Sequence, residues 1–108
     1  MEKGDIVVAA LPGDYGKPRP MLIIQSSLLS ELPSTVVCPL TTHVNEDIQI
    51  LRVAINPTAS NGLKERSHII VDKVTAIPTG KIAQKIGKAD AQTMFRVKTA
   101  LAILFDLS

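Results

Sequence analysis

The chain has 108 residues and a formal net charge of +2, and 45% of its residues are hydrophobic. This length predicts one domain over residues 1–108, and the moderate charge and ordinary apolar content argue against disorder. The single cysteine, the polar N-terminus and the short apolar runs predict no internal disulfide, no signal peptide and no membrane span, so we expect a cytoplasmic protein.

Two apolar strands are predicted near the N-terminus, over residues 4–11 and 20–25, with polar turns around them. The second strand contains four apolar residues without a polar break, which is typical of a strand that is buried on both faces. Residues 12–16 between the strands carry two glycines and predict a loop. Tyr15 in this loop is expected to be the one aromatic residue outside the core.

The middle of the chain predicts further strands that are joined by polar turns. The predicted strands are residues 35–40, 48–55 and 67–77, followed by a weaker strand over 80–87. Residues 26–33 predict a helical turn, and residues 56–62 predict a loop that ends in the turn dipeptide Asn61-Gly62. Residues 48–55 partly alternate between apolar side chains and polar ones, such as Arg52, which indicates one solvent-facing side.

A single helix is predicted after Asp90, which has the side chain of a typical N-cap residue. Apolar residues then recur at helical spacing, at Met94, Val97, Ala100, Leu101, Ile103, Leu104 and Phe105. Strands followed by one terminal helix predict a mainly β protein, an antiparallel sheet or small barrel with the helix packed on it.

The segment Lys17-Pro18-Arg19-Pro20 is the most distinctive stretch of the sequence. Each proline fixes its own φ and disfavours helical geometry in the residue before it, so Lys17 and Arg19 are held extended. An apolar strand follows at once and anchors this stiff backbone. The pattern predicts a guanidinium that is presented from a rigid strand edge, although a surface arginine beside a turn would give the same pattern.

Three stretches, in their order and spacing, resemble the PemK/MazF family of toxins from toxin–antitoxin pairs. The stretches are Gly4-Asp5-Ile6-Val7 with Arg19-Pro20 and Gln25-Ser26, then Val37-Cys38-Pro39-Leu40-Thr41-Thr42, then Asn61-Gly62-Leu63-Lys64 with residues 67–77. The resemblance covers nearly the whole chain. It implies a small SH3-like antiparallel barrel (CcdB/MazF-like) with a C-terminal helix, usually as a homodimer. It also implies metal-independent cleavage of single-stranded RNA, often mRNA at short sequences, by a toxin that a cognate antitoxin neutralises.

Arg19 and Thr41 match motif positions of this family, and the resemblance implies that both are catalytic. A guanidinium can donate two N–H groups to phosphate oxygens, and a threonine hydroxyl can donate one more hydrogen bond. Thr42 is expected to contact RNA rather than to catalyse, because strand alternation places it opposite Thr41. Lys17 adds positive charge beside Arg19, and Tyr15 could stack on a base.

Asp72 is the third residue for which the resemblance implies a catalytic role, as a base. It lies in the predicted strand 67–77, where a carboxylate is costly unless it is paired or exposed. Some family members carry an arginine two residues earlier, where this chain has Ile70, so their acid/base pairing cannot be carried over intact. A structural salt bridge or a turn is the competing interpretation of Asp72.

His43 and His68 could titrate near neutral pH, but neither matches a catalytic position of the family, so we expect both near the RNA. Two histidines and Cys38 do not form a spaced ligand set, so we expect neither a metal nor another cofactor. Cys38 lies in a predicted strand and is typical of a buried apolar residue.

Two other functions remain open from the sequence. A related fold, that of the CcdB toxin, poisons DNA gyrase by binding and cuts no RNA. A non-catalytic SH3-like module that binds RNA or regulates another protein is the other alternative. RNA cleavage, gyrase-dependent DNA breaks, or RNA binding without cleavage would distinguish the three.

Overall fold

The computed structural model describes residues 1–11, 16–43 and 51–107. Within these residues the chain forms seven β-strands, three short 3₁₀ turns and one α-helix. The strands are β1 (Asp5–Ala10), β2 (Pro18–Ile23), β3 (Ser34–Thr41), β4 (Arg52–Ile55), β5 (Ser67–Ile70), β6 (Thr75–Pro78) and β7 (Gln84–Lys88). The helix α1 is Ala91–Leu104, and the 3₁₀ turns are Ser27–Leu29, Val71–Lys73 and Thr79–Lys81.

The strands form one antiparallel sheet in the order β4-β5-β3-β2-β1-β7, and β6 also pairs with β3. The sheet curls into a half-barrel, and α1 packs against β4 and the turn after β5. The predicted fold class, mainly β with a C-terminal helix, is therefore confirmed. The predicted strand 48–55 is observed from Arg52 onward, and its residues 48–50 lie outside the described residues.

The strand β3 connects two halves of the sheet because it changes partners along its length. Residues 37–39 pair with β2, with Met21 opposite Pro39, whereas Leu40 and Thr41 pair with β5. Proline has no N–H to donate to a ladder and is found where strand pairing changes or ends. Beyond Pro39 the two neighbours of β3 diverge, and a fork opens between the start of β2 and the start of β5.

The central strands are buried on both faces, as their continuous apolar runs predict. One core cluster lies between the sheet and α1 and includes Leu22, Cys38, Ile69 and Val97. A second cluster lies on the opposite face of β1, β2 and β3. Its members are Val7, Ala9, Met21, Ile23, Val37 and Ile77.

The predicted helix and its N-cap are confirmed, but its apolar face is only partly buried. The Asp90 carboxylate accepts a hydrogen bond from the Thr93 N–H at 2.7 Å, which caps the helix. Val97 and Ala100 are buried, whereas Ile103 is 54% exposed. Both phenylalanines are also exposed, with Phe95 at 68% and Phe105 at 55%. The expectation that Tyr15 is the one aromatic outside the core is therefore wrong.

The predicted strand 67–77 is interrupted by the 3₁₀ turn Val71–Lys73, so this prediction is also wrong in part. The segments on either side pair with different halves of β3, with Ile69 opposite Leu40 and Ala76 opposite Val36. The register shifts by three residues between the two pairings. The turn accommodates these three residues where β3 bends, which no apolar pattern in the segment itself would indicate.

The predicted loop 56–62 is organised by the buried Asn61, and the Lys88 N–H of β7 donates a hydrogen bond to the Ser60 carbonyl of the loop at 2.9 Å. The Asn61 Oδ1 atom accepts hydrogen bonds from the Thr58 and Leu63 N–H groups, each at 3.0 Å. The two chain segments approach so closely that a Cβ atom on Gly87 would lie 2.2 Å from the Asn61 carbonyl carbon. Gly62 has a φ of +71°, which only glycine adopts readily.

Candidate active site

A groove of about 210 Å³ occupies the fork between β2 and β5. We call it the fork groove. It is lined by Lys17, Pro18, Arg19, Pro20, Leu40, Thr41, Thr42 and Ser67. Four of the residues predicted for RNA cleavage or binding from sequence (Lys17, Arg19, Thr41 and Thr42) therefore meet in one place, although they come from two separate strands.

Arg19 is held at the groove by the start of β2, where it is paired with Ala9 of β1. Its backbone is part of a continuous ladder, so the extended geometry predicted from the flanking prolines is observed. The side chain is partly exposed, whereas Met21, two residues further along the same face of β2, is fully buried. The strand therefore anchors Arg19 through its buried part and leaves the guanidinium near solvent.

Thr41 ends β3 on the other side of the fork. Its Oγ1 atom accepts a hydrogen bond from the His43 N–H at 3.0 Å, which orients the hydroxyl oxygen. The hydroxyl proton can still be donated to a ligand. Thr42 and His43 follow as exposed residues at the end of the strand, and Thr42 lines the groove.

The fork groove can bind a phosphodiester. Lys17 and Arg19 supply positive charge, and Thr41 and Thr42 supply hydroxyl groups. Charge-assisted hydrogen bonds from such groups to phosphate oxygens are stronger than neutral ones. Ser67 was not predicted from the sequence. It lines the groove, but its hydroxyl proton is donated to the Glu65 carbonyl at 3.0 Å and is not directed at a phosphate.

His68 was expected at the edge of the RNA groove, but the structure places it behind that edge. The residue is only 5% exposed, and its neighbour Ser67 lines the groove instead. His68 is the register partner of Thr41 in the β3–β5 ladder. A contact between His68 and RNA stays a prediction, while direct exposure along the groove is ruled out by its burial.

Asp72 is not brought to the fork groove. It is exposed in the 3₁₀ turn Val71–Lys73, and not in a strand as predicted. Burial raises the pKa of the Cys38 thiol from 9.0 to about 12, and the nearby negative charge of Asp72 acts in the same direction. Asp72 does not line the fork groove, and its position does not support a role as the base.

Arg52 is a further candidate that the sequence did not predict as a site residue. It lies on β4 opposite Ile70. Some members of the PemK/MazF family carry an arginine at the position of Ile70. Its Nε atom is enclosed and has no hydrogen-bond partner among the residues that the structure describes. The alternation of residues 48–55 already placed Arg52 on the polar side of its strand, but only the ladder shows that it neighbours His68.

Tyr15 lies outside the described residues, so its predicted stacking on a base stays a prediction. Among residues 1–11, 16–43 and 51–107, no three histidine, cysteine, aspartate or glutamate side chains are grouped so that they could hold a metal ion. No helix in the same ranges is long and apolar enough to cross a membrane.

A larger groove of about 590 Å³ lies between β4, the loop that follows it and the start of α1. Several of its polar side chains are engaged within the protein. Asn61 holds the loop together, Asp90 caps the helix, and Lys88 forms an ion pair with Glu2 at 3.5 Å. We therefore place the candidate active site in the smaller fork groove, where the hydroxyl and cationic groups converge.

Comparisons with known proteins agree with this fold. Residues 2–105 match the model of a family described as PemK-like, MazF-like toxin of type II toxin–antitoxin system. A protein of Mycolicibacterium smegmatis named "Probable endoribonuclease MazF" is 38% identical over 109 residues, which cover 100% of this chain and 99% of that protein.

Solved structures show the same fold. The Mycobacterium tuberculosis toxin MazF-mt6 superposes with a TM-score of 0.82 at 28% identity, over 96% of this chain and 98% of that one. An endoribonuclease in complex with its cognate antitoxin, from a mycobacterial species, superposes with a TM-score of 0.83 at 20% identity, over 100% of this chain and 97% of that one.

Proposed function

This chain belongs to the PemK-like, MazF-like toxins of type II toxin–antitoxin systems, and on that basis we propose that it is an endoribonuclease that cleaves single-stranded RNA. The observation that carries the proposal is the convergence of Arg19 and Thr41 in the fork groove. Arg19 offers two charged N–H donors from its guanidinium group, and Thr41 offers a hydroxyl group. Both residues belong to rigid strands.

The proposed reaction is attack of the ribose 2′-oxygen on the adjacent phosphorus. The 2′-OH loses its proton to a base, the 2′-O–P bond forms, and the P–O5′ bond breaks as the 5′-oxygen gains a proton. Arg19 stabilises the negative charge that develops on the phosphorane oxygens, and Thr41 donates a hydrogen bond to one of them. Because DNA has no 2′-OH, the enzyme cuts RNA only.

These chemical steps require no metal ion, since the guanidinium supplies the positive charge. The products are an upstream fragment with a 2′,3′-cyclic phosphate and a downstream fragment with a 5′-OH. The substrate is mRNA cut at short sequences in the cytoplasm. RNA binding involves Lys17, Thr42 and His43 around the groove, with Tyr15 stacking on a base.

The partners are a cognate antitoxin and a second copy of the chain. An acidic, disordered antitoxin segment would mimic the charge of RNA and occupy the fork groove, where Lys17 and Arg19 attract it. Exposed apolar side chains on and after α1 support a dimer contact. These are Phe95, Ile103, Phe105 and Leu107.

The deciding experiment is incubation of the purified protein with a long naked RNA transcript in EDTA, followed by mapping of the cleavage ends. We expect cuts at a short recurring sequence, with 2′,3′-cyclic phosphate on the upstream fragments. Activity that is abolished in chelator and restored by one divalent ion would overturn the mechanism. Intact RNA together with gyrase-dependent DNA breaks would overturn the function in favour of a gyrase poison.

A further inference from the structure

The face of the sheet that points away from α1 carries polar residues on three neighbouring strands. Thr41 of β3 is the register partner of His68 of β5, and His68 is also the partner of Ala54 of β4. Register partners in an antiparallel ladder share a face, and residues two apart on a strand do so as well. Arg52, two residues before Ala54, therefore lies on the same face as Thr41 and His68.

Two buried nitrogen atoms on this face lack hydrogen-bond partners within the described part of the chain. The Nδ1 atom of His68 and the Nε atom of Arg52 have no hydrogen-bond partner among the residues that the structure describes. Buried polar atoms in folded proteins are nearly always paired, so two unpaired atoms on one face mark a place where a ligand can supply the missing partners. Arginine can only donate, and a histidine nitrogen can donate as well, so the fitting ligand is an acceptor, and an anionic one suits the arginine best.

This face continues into the fork groove. Arg19 lies two residues from Met21, and Thr41 lies two residues from Pro39, so each shares a face with one member of the register pair Met21–Pro39. The strands β2, β3, β5 and β4 are adjacent in the sheet, and Thr41 and His68 lie in one row with Ala54. Arg52 lies on the same face, opposite Ile70 and diagonal to His68. With strands about 4.8 Å apart, Arg19 and Arg52 are separated by three strand spacings, roughly 14 Å, which is more than one phosphodiester group spans.

We propose that Arg52, with His68 beside it, forms a second phosphate subsite for the RNA strand whose scissile phosphate lies at Arg19 and Thr41. The proposal deepens the proposed ribonuclease function and rests on it. Arg52 is partly exposed as a residue although its Nε is enclosed, so a phosphate can reach it. His68 is almost fully buried and acts as a positioning residue between Arg52 and Thr41, not as a catalytic one.

The test is binding of a short, fully 2′-O-methylated single-stranded RNA, which keeps its phosphates and has no 2′-OH to attack. The dissociation constant is measured at several salt concentrations for wild type and for Arg52→Gln, which keeps most of the side-chain length. Removing one ionic interaction with a single-strand phosphate should reduce the steepness of log affinity against log salt by about 0.7. We expect this change in slope and about a tenfold weaker affinity at low salt.

The matched control is Arg96→Gln, which removes the same charge from an exposed position on α1. It should leave the salt slope unchanged, because Arg96 belongs to α1, which packs on the opposite face of the sheet from the proposed subsite. Arg52→Lys keeps the charge and should keep the slope. His68→Phe keeps an aromatic ring and removes both nitrogens, and it should raise KM for cleavable RNA with little change in kcat. Circular dichroism and thermal unfolding establish that each variant is folded.

An unchanged slope and affinity in folded Arg52→Gln, with wild type binding and cutting RNA, would overturn the subsite and leave the proposed function intact. An equal reduction in Arg96→Gln would overturn it as well, because the effect would then be one of net charge. If Arg52→Gln weakened binding of an acidic antitoxin peptide but not of RNA, the subsite would be overturned too, and Arg52 would be assigned to protein binding. A wild type that binds the methylated RNA but cuts no RNA would overturn the proposed function and not the subsite.

Discussion

Arg19 and Thr41 both line the fork groove, because each is two residues from a member of the register pair Met21–Pro39 on neighbouring strands. This pair is the last one in the β2–β3 ladder, and beyond it β3 turns to β5. Each side chain is thus held by a well-paired strand on one side and faces an open groove on the other. Rigid placement of this kind lets donors stabilise a transition state without reorganising during the reaction.

Replacing Arg19 by alanine should lower the rate of RNA cleavage by about 10²–10³, the usual cost of removing one such electrostatic donor. Arg19→Lys should restore little, because an ammonium group lacks the planar fork. The measurement is kcat on a short RNA that contains the mapped site. Arg96→Ala on α1 serves as the control and should cut at the wild-type rate. Wild-type cleavage by Arg19→Ala would remove Arg19 from the active site.

Thr41→Val should lower kcat by roughly 10–100-fold, which corresponds to losing one hydrogen bond to a charged group. Thr41→Ser keeps the hydroxyl and should retain most of the activity. Thr42→Val, at the neighbouring groove position, should change KM more than kcat. If Thr41→Val and Thr42→Val had the same small effect on kcat, the hydroxyl of Thr41 would have no role in the chemical step.

Asp72→Asn should leave cleavage close to the wild-type rate, because Asp72 is exposed in a turn and does not line the fork groove. The pH profile of kcat should also keep its shape, since the titrating base would still be present. A large fall in kcat, or the disappearance of the acidic limb of the profile, would restore the role of Asp72 as the base.

Gly87→Ala should destabilise the fold by about 2–3 kcal/mol or more, because the new Cβ would lie 2.2 Å from the Asn61 carbonyl carbon, where backbone must move. Urea unfolding monitored by circular dichroism measures the change. Gly80→Ala is the matched control, since its Cβ would meet nothing within 4 Å. Equal stability of the two variants would mean that the loop carrying Asn61 is not held against β7 in solution.

Cys38 should resist alkylation in the folded protein. The reactive species is the thiolate, and burial raises the pKa of this thiol from 9.0 to about 12, so it stays protonated at about pH 8. A folded protein that incorporates iodoacetamide as fast as the urea-unfolded chain would contradict this. Because the unfolded thiol releases its proton from about pH 9 upward and the folded one does not, stability should also fall as pH rises from about 9 to about 12.

The sequence by itself determined the elements that depend on local physics. Continuous apolar runs predicted strands that are buried on both faces, and Asp90 predicted the start of α1, because neighbouring residues decide strand burial and helix capping. The two prolines around Arg19 likewise predicted an extended arginine at a strand edge. The family resemblance added Thr41, which the structure brings to the same groove.

Only the tertiary structure decided which residues share a face and where a strand breaks. The turn Val71–Lys73 arises because β3 bends and changes partners, so Asp72 leaves the strand in which the sequence placed it. His68 is buried, and Arg52 becomes its neighbour, through pairings between segments that are distant in the chain. Such pairings depend on register, and a shift of one residue would move each side chain to the opposite face of the sheet.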